Sequence, residues 1–215
     1  MKTTTARAAA GLIPDGATLM IGGFMGVGSP ERVIDELVRQ GRRDLTVIAN
    51  DTAMPGRGIG KLVSAGALRK VVASHIGLNP ETQQQMIAGR LQVELVPQGT
   101  LIERIRCGGH GLGGVLTATG VGTVVEEGKR RIEVDGRPYL VETALQADFA
   151  LVQAFAADYL GNLVYALTAR NFNPVIAMAG ATVIADVEQI VPVGVIPPDQ
   201  VMTPAVLVDY LVGRD

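Results

Sequence analysis

Two side-chain amides follow short apolar runs and are candidates for chemistry. Asn50 comes directly after Asp44–Ala49 (DLTVIA), and Gln98 follows Val93–Val96 across a single proline. If both runs are strands of a parallel sheet, these amides lie at the edge where ligands bind in such folds. Gln98 is predicted to act there as a hydrogen-bond donor or to cap the next helix. Asn50 is predicted to line a pocket or to form a turn.

A second candidate is the glycine-rich stretch between residues 22 and 28. It follows the apolar run Ala17–Ile21 and precedes signals for a helix start, with Ser29 as the predicted N-cap and Pro30 at the first helical position. A strand, a glycine-rich turn and a helix N-terminus in series can present free N–H groups to an anion. The members of the stretch are Gly22, Gly23, Phe24, Met25, Gly26, Val27 and Gly28.

The spacing of these glycines argues against two common nucleotide-binding motifs. The glycines fall as G-G-x-x-G-x-G, whereas the dinucleotide fingerprint requires G-x-G-x-x-G. A phosphate-binding P-loop requires a Gly-Lys-Ser/Thr segment, and no lysine lies between Lys2 and Lys61. A stand-alone nucleotide or sugar-phosphate binding domain stays open as an alternative, because backbone N–H groups bind phosphate without a lysine.

Other reactive side chains give weaker signals. Cys107 is the one cysteine, and nothing in its neighbourhood marks it as an activated nucleophile. His75 and His110 are the two histidines, and no carboxylates stand near them at ligand spacing. We therefore expect no metal site.

Composition limits the class of protein. Of the 215 residues, 47% are hydrophobic but only 4% aromatic, which favours a parallel sheet of aliphatic residues covered by helices. A net charge of −2 gives no reason to expect nucleic acid as a partner. No apolar run is long enough to cross a membrane. Since a single cysteine forms no internal disulfide, a reducing cytoplasm is the expected location.

The order of predicted elements indicates an α/β fold. Strands and helices alternate four times up to residue 106, which predicts a doubly wound, mainly parallel sheet with helices on both faces. A short helix is predicted at 61–66, and the helix start after it is clear, with Asn79 as N-cap and Pro80 at the first position. Asp135-Gly136 predicts an antiparallel hairpin inserted at residues 130–141. We expect residues 1–215 to form one domain.

Further helices and strands are predicted in the remaining segments of the chain. We expect an opening helix at 3–12, a strand at 148–155, a tight hairpin around Gly161-Asn162 and a helix that begins near Ala169 and runs through Ala179. Late strands are predicted at 182–187 and 206–211.

The stretch from Asp15 to Pro30 resembles the signature of the small (alpha) subunit of family I coenzyme A transferases. The matching positions are Asp15, Gly16, Gly22, Gly23, Phe24, Gly28 and Pro30. Similar blocks recur along the chain at 96–101, 119–123, 161–163 and 169–172. The segments 49–53 and 74–77 look most like acetate or acetoacetate CoA-transferase.

The resemblance implies a reaction and a division of labour. Members of this family move CoA between carboxylates through a glutamate nucleophile in a Ser-Glu-Asn-Gly segment of the beta subunit, and no Ser-Glu-Asn occurs here. This chain would therefore supply no nucleophile. The family's oxyanion-stabilising glutamine matches Gln98, and Asn50 would line the acyl pocket. Residues 22–28 would bind part of CoA or shape the channel to the glutamate, and the alternative is that these glycines only pack the strand against the helix.

The implied assembly contains two alpha and two beta subunits and has no permanent cofactor. Coenzyme A and acyl-CoA would be substrates, together with short-chain carboxylic or 3-oxo acids, in a ping-pong reaction. The alternatives are a subunit of a 3-oxoacid or 3-oxoadipate CoA-transferase and an acyl-CoA hydrolase of the same fold.

Overall fold

A computed structural model describes residues 2–214. Its strands and helices alternate up to residue 109, as an α/β fold requires. The strands are β1 (Thr3–Thr4), β2 (Thr18–Ile21), β3 (Leu45–Asp51), β4 (Leu68–His75), β5 (Gln92–Leu95), β6 (Gly114–Thr117), β7 (Arg131–Val134), β8 (Arg137–Thr143), β9 (Ala147–Asp158), β10 (Leu163–Val164), β11 (Gly180–Val191) and β12 (Tyr210–Val212). The helices are α1 (Ala6–Gly11), α2 (Glu31–Arg39), α3 (Ile59–Ser64), α4 (Pro80–Ile87), α5 (Gln98–Gly109) and α6 (Asn173–Ile176).

The central sheet has the order β1-β12-β11-β9-β2-β3-β4-β5. Every pair along this path is parallel, and the antiparallel β10 attaches to the end of β9. The carboxyl ends of all the parallel strands consequently face one edge. The predicted doubly wound, mainly parallel sheet is confirmed.

Alternation along the strands places apolar residues on both faces of this sheet. Leu19 and Ile21 of β2 pack in one buried cluster with α1–α4, while Met20 packs in the other cluster with α5 and α6. The strands β3 and β4 alternate in the same way, as the two-residue period of an extended chain requires. Helices on both faces therefore bury both sides of the sheet.

Several predicted boundaries are confirmed. The Asn79 side chain accepts hydrogen bonds from the N–H groups of Glu81 and Thr82 and so caps α4. Asp135 and Gly136 both have positive φ and join β7 to β8. The strand β10 folds back on β9 through Gly161-Asn162.

Three other predictions are wrong. The segment predicted as one helix over 169–179 contains a 3-10 turn (Leu167–Arg170) and the four-residue α6. The predicted strand at 206–211 begins only at Tyr210, after a 3-10 turn (Ala205–Leu207). The opening helix starts at Ala6, because residues 3–4 pair with β12 at the sheet edge.

The cap of α2 also differs from the prediction. The N-cap residue is Pro30, whose side chain makes no hydrogen bond, and α2 begins at Glu31, so the predicted N-cap Ser29 lies one position too early. Instead, the Asp186 carboxylate, on β11, accepts the main-chain N–H of Arg32 at 2.9 Å and the Nε–H of the same residue at 2.7 Å. Burial raises the pKa of Asp186, although the Arg32 guanidinium and the N–H groups of Arg32 and Val33 oppose that rise. A carboxylate from a distant strand thus occupies this helix end.

A smaller antiparallel sheet, β6-β8-β7, extends the predicted hairpin by one strand. The Arg104 side chain of α5 ties it to the main body by donating to the Thr143 carbonyl at 2.7 Å. Glu142 is buried and pairs with Lys129 at 2.5 Å. No helix within residues 2–214 has the length and apolar character needed to span a membrane.

Candidate active site

A cavity of about 270 Å³ opens at the carboxyl ends of β3 and β4, beside the first residue of α5. Its wall combines main-chain and side-chain polar groups with three apolar side chains. The lining residues are Phe24, Met25, Asn50, Asp51, Ser74, His75, Leu78 and Gln98. This is the edge at which ligands bind in open parallel sheets.

The two predicted amides meet in this cavity. Gln98 donates from Nε2 to Oδ1 of Asn50 at 2.5 Å. Asn50 is 2% exposed, whereas Gln98 is exposed at the start of α5. An amide nitrogen carries two hydrogens, so the bond to Asn50 leaves the second hydrogen of Gln98 available to a ligand.

Asp51 lies behind Asn50 and accepts three hydrogen bonds. Its Oδ1 accepts the N–H of Ala53 at 2.7 Å, and its Oδ2 accepts the N–H of Met25 at 2.9 Å and Nδ2 of Asn50 at 2.8 Å. Met25 and Ala53 both have positive φ, a conformation that costs energy for residues with a side chain. The Asp51 carboxylate therefore holds two strained backbone positions and one amide side chain.

Ser74 completes the polar group around Asn50. Its Oγ donates to the Asn50 carbonyl at 2.7 Å and lies 3.3 Å from Oδ1 of the same residue. The end of β3 is thus fixed against the end of β4 by a side chain as well as by the strand ladder.

The glycine stretch forms a compact turn. Phe24 and Val27 exchange main-chain hydrogen bonds at 2.9 Å in both directions, with Met25 and Gly26 in the left-handed region between them. Gly22 donates its N–H to the Leu151 carbonyl. Four N–H groups of this stretch, those of residues 22, 24, 25 and 27, therefore already have protein acceptors.

Two glycines of the turn permit close packing. A Cβ on Gly22 would lie 1.8 Å from Oδ1 of Asn173, and one on Gly28 would lie 2.7 Å from the Cβ of Ala169. At Gly26 a Cβ would meet nothing closer than 3.5 Å. The first two positions exclude any side chain, while Gly26 needs only its positive φ.

The opposite side of the turn borders a second groove, of about 450 Å³. Arginine and acidic side chains both line it, and they include the Arg32–Asp186 ion pair. The lining side chains are Glu31, Arg32, Arg57, Gln153, Asp186, Glu188 and Arg214, with residues 26–29.

The structure separates the predicted residues into two sets. Asn50, Gln98 and two residues of the glycine turn (Phe24 and Met25) lie together, whereas Cys107 is buried in α5 outside the cavity. Sequence reasoning missed Asp51 and Ser74. The available signal was their position, since each polar residue stands at the end of an apolar strand.

The fold and the cavity together define a class of protein: a doubly wound α/β protein with a pair of hydrogen-bonded side-chain amides at the carboxyl edge of its sheet. Residues 2–214 contain no group of three or more histidine, cysteine or acidic side chains arranged to hold a metal ion.

The sequence model of the coenzyme A transferase family matches residues 2–214, and this chain belongs to that family. The acetate CoA-transferase alpha subunit of Escherichia coli K12 is 54% identical over 211 residues, which cover 98% of this chain and 96% of that protein. The alpha subunit of acetoacetyl-CoA:acetate/butyrate CoA transferase from Clostridium acetobutylicum is 50% identical and covers 92% of this chain and 91% of its own length.

A third relative is named for a different CoA donor, succinyl-CoA. A succinyl-CoA:3-ketoacid coenzyme A transferase subunit from Xanthomonas campestris (strain B100) is 50% identical over 95% of this chain and 85% of that protein. Among solved structures, the acyl-CoA transferase of Escherichia coli O157:H7 superimposes with a TM-score of 0.85 at 24% identity over 99% of this chain. The chain spans 46% of that enzyme's length, and the match shows the shared fold.

Proposed function

We propose that this chain is the alpha subunit of a heteromeric enzyme that moves CoA between short-chain acyl-CoA and a carboxylate. The observation that carries the proposal is the Asn50–Gln98 amide pair over a cavity at the carboxyl edge of the sheet. Attack on a thioester places negative charge on its carbonyl oxygen. The free hydrogen of Gln98 Nε2 would bind that oxygen in the transition state, an interaction worth roughly 10² to 10³ in rate.

The nucleophile of the proposed reaction comes from a beta subunit. No glutamate lines the cavity within the described residues, and both oxygens of Asp51 already accept N–H donors. A glutamate carboxylate supplied by the partner would attack the acyl-CoA carbonyl, expel the CoA thiolate and form an anhydride. The thiolate would then attack the glutamyl carbonyl, release the first carboxylate and leave a glutamyl-CoA thioester for the acceptor acid.

The acyl group of the proposed substrate is short. The cavity is small, and Phe24, Met25 and Leu78 supply its apolar wall. Acetyl, acetoacetyl and butyryl groups fit this description. The alternative, suggested by the Xanthomonas relative, is a succinyl-CoA:3-ketoacid transferase. The beta subunit would complete the pocket that determines which acyl group is used.

The glycine turn would shape the CoA channel. We propose that its tip, Met25 to Val27, contacts CoA, because residues 22 and 28 are committed to packing inside the protein. Val27→Ala tests this role, since the Val27 side chain is exposed at the tip and the change shortens it without altering the glycines of the turn. A raised KM for acyl-CoA with intact assembly is expected, and an unchanged KM would limit the turn to a packing role.

We expect two alpha and two beta subunits, with the cavity at the interface between unlike subunits and no permanently bound cofactor. A cytoplasmic location accords with Cys107, which is buried and free.

The decisive experiment assays acetoacetyl-CoA plus acetate with this chain alone, with only a beta-type CoA-transferase subunit, and with both. Activity only in the mixture, with no CoA released when acetate is omitted, is the expected result. Release of free CoA without acetate would favour the hydrolase. Transfer by this chain alone would place the nucleophile here and contradict the proposal.

A further inference from the structure

We propose that Asp51 is a positioning residue that determines which end of the Gln98 amide faces the substrate. This inference rests on the proposed role of Gln98 and adds a reason why its nitrogen, and not its oxygen, occupies the donor position. The path consists of three side chains, Asp51, Asn50 and Gln98, joined by hydrogen bonds of 2.8 and 2.5 Å.

The first step in this path follows from the acceptor-only character of a carboxylate. Asp51 is 6% exposed and receives N–H donors on both oxygens, so the neighbouring group must present a donor. Asn50 can satisfy this only by turning Nδ2 towards Asp51. Its Oδ1 then points away from Asp51.

The second step fixes the orientation of the Gln98 side-chain amide. Oδ1 of Asn50 accepts, so Gln98 must turn Nε2 towards it. An amide in the reverse orientation would set two oxygens against each other. The Asp51 carboxylate thus fixes a donor at the mouth of the cavity through two side-chain amides, each of which is symmetric enough in shape to fit either way.

The test is a double-mutant cycle with Asp51→Asn and Gln98→Ala, measured on the assembled alpha–beta enzyme with acetoacetyl-CoA and acetate. Asp51→Asn preserves size but adds a donor, so Asn50 and Gln98 lose their enforced orientation. We expect kcat to fall on the order of 10²-fold, the loss of one oriented oxyanion donor. In the Gln98→Ala background the same change should have no further effect on kcat. A change in KM for acyl-CoA would come through Met25, which Asp51 also holds, and should be the same with and without Gln98.

A matched control is Asp158→Asn. Asp158 is also a buried strand-end carboxylate that accepts main-chain N–H groups and an asparagine Nδ2, but it lies outside the cavity. Its replacement should leave kcat of the assembled enzyme unchanged in both backgrounds. Size-exclusion chromatography checks that each variant assembles. If the Asp51→Asn variant does not assemble, Asn50→Ala is used in its place. It breaks the same hydrogen-bonded path from Asp51 to Gln98 and should show the same loss of kcat.

The outcomes separate the two proposals. If Gln98→Ala retains full kcat, the oxyanion role itself is wrong, and there is nothing for Asp51 to orient. If Gln98→Ala lowers kcat while Asp51→Asn leaves it unchanged, or lowers it by the same factor in both backgrounds, the positioning role alone is overturned.

Discussion

Two strand ends of the sheet carry the same polar arrangement. At the end of β3, Asp51 accepts main-chain N–H groups and Nδ2 of Asn50. At the end of β9, Asp158 accepts the N–H groups of residues 160–162 and Nδ2 of Asn162 at 2.8 Å. Both aspartates are buried. In both clusters a carboxylate sets the orientation of an asparagine.

The clusters differ in what the asparagine oxygen faces. Oδ1 of Asn162 accepts the main-chain N–H of Ala205 at 2.9 Å, so that cluster ends in backbone. Oδ1 of Asn50 accepts a side-chain amide that still has a free hydrogen and borders a cavity. The same hydrogen-bond chemistry therefore closes a turn in one place and leaves a directed donor in the other.

The largest difference between the clusters is expected in catalysis. Gln98→Ala should lower kcat of the assembled enzyme by roughly 10²-fold or more, because it removes the donor itself. Steady-state kinetics with acetoacetyl-CoA and acetate measures this. Gln92→Ala, an exposed glutamine at the start of β5, is the matched control and should keep full activity. Equal activity of both variants would remove the functional distinction between the clusters.

Next in size is the effect of Asp158→Asn on stability. The change removes a charged acceptor from four N–H donors, and we expect a loss of about 2 kcal/mol in the free energy of unfolding. A urea titration of the purified chain measures it. A loss below the error of the titration would show that the β9 cluster does not stabilise the hairpin to β10.

The pH dependence of that loss gives a smaller effect. Burial raises the pKa of Asp158, but the Asn162 amide and the N–H groups of residues 160–162 outweigh burial and lower it overall. Because the folded-state pKa lies below the unfolded-state value, the stabilisation is present above the ordinary aspartate pKa and is lost as pH falls through the folded-state pKa. The stability gap between the parent and Asp158→Asn should therefore narrow on acidification below about pH 4. Urea titrations at several pH values measure the gap, and a constant gap would contradict the assignment.

The smallest expected effect is that of Ser74→Ala. This hydroxyl donates to the Asn50 carbonyl, and its removal should cost about 1 kcal/mol of stability. Since Asp51 still orients Asn50, kcat should change far less than in Gln98→Ala. Kinetics and urea titration of the same preparation provide both numbers. A loss of kcat as large as that of Gln98→Ala would mean that Ser74, more than Asp51, orients the amide pair.

Local signals predicted the first half of the fold well. The apolar runs before Asn50 and Gln98 are β3 and β5, and the capping pattern at Asn79 marks the start of α4. These features depend on residues within one or two turns of each other. The proximity of the Asn50 and Gln98 side chains was also predictable, because parallel strands end at a common edge.

The errors come from contacts between distant segments. The sequence around Ser29 contains a good N-cap, yet Asp186 occupies the end of α2 from a strand 154 residues away. The helix predicted from Ala169 to Ala179 is reduced to four residues that begin at Asn173, whose side chain is fully buried and donates to the Gly28 carbonyl at 3.0 Å. The directed bond from Gln98 to Asn50 likewise joins residues 48 positions apart. No local pattern contains such information.

The position of β9 between β2 and β11 has a consequence during protein synthesis. The strand β2 binds β3 on one side early, but its other neighbour lies about 130 residues further along the chain. At roughly 5 to 20 residues per second, a ribosome needs on the order of ten seconds to deliver that neighbour. Throughout this interval the nascent chain carries an unpaired apolar strand edge at what will become the middle of the sheet, open to association with other chains.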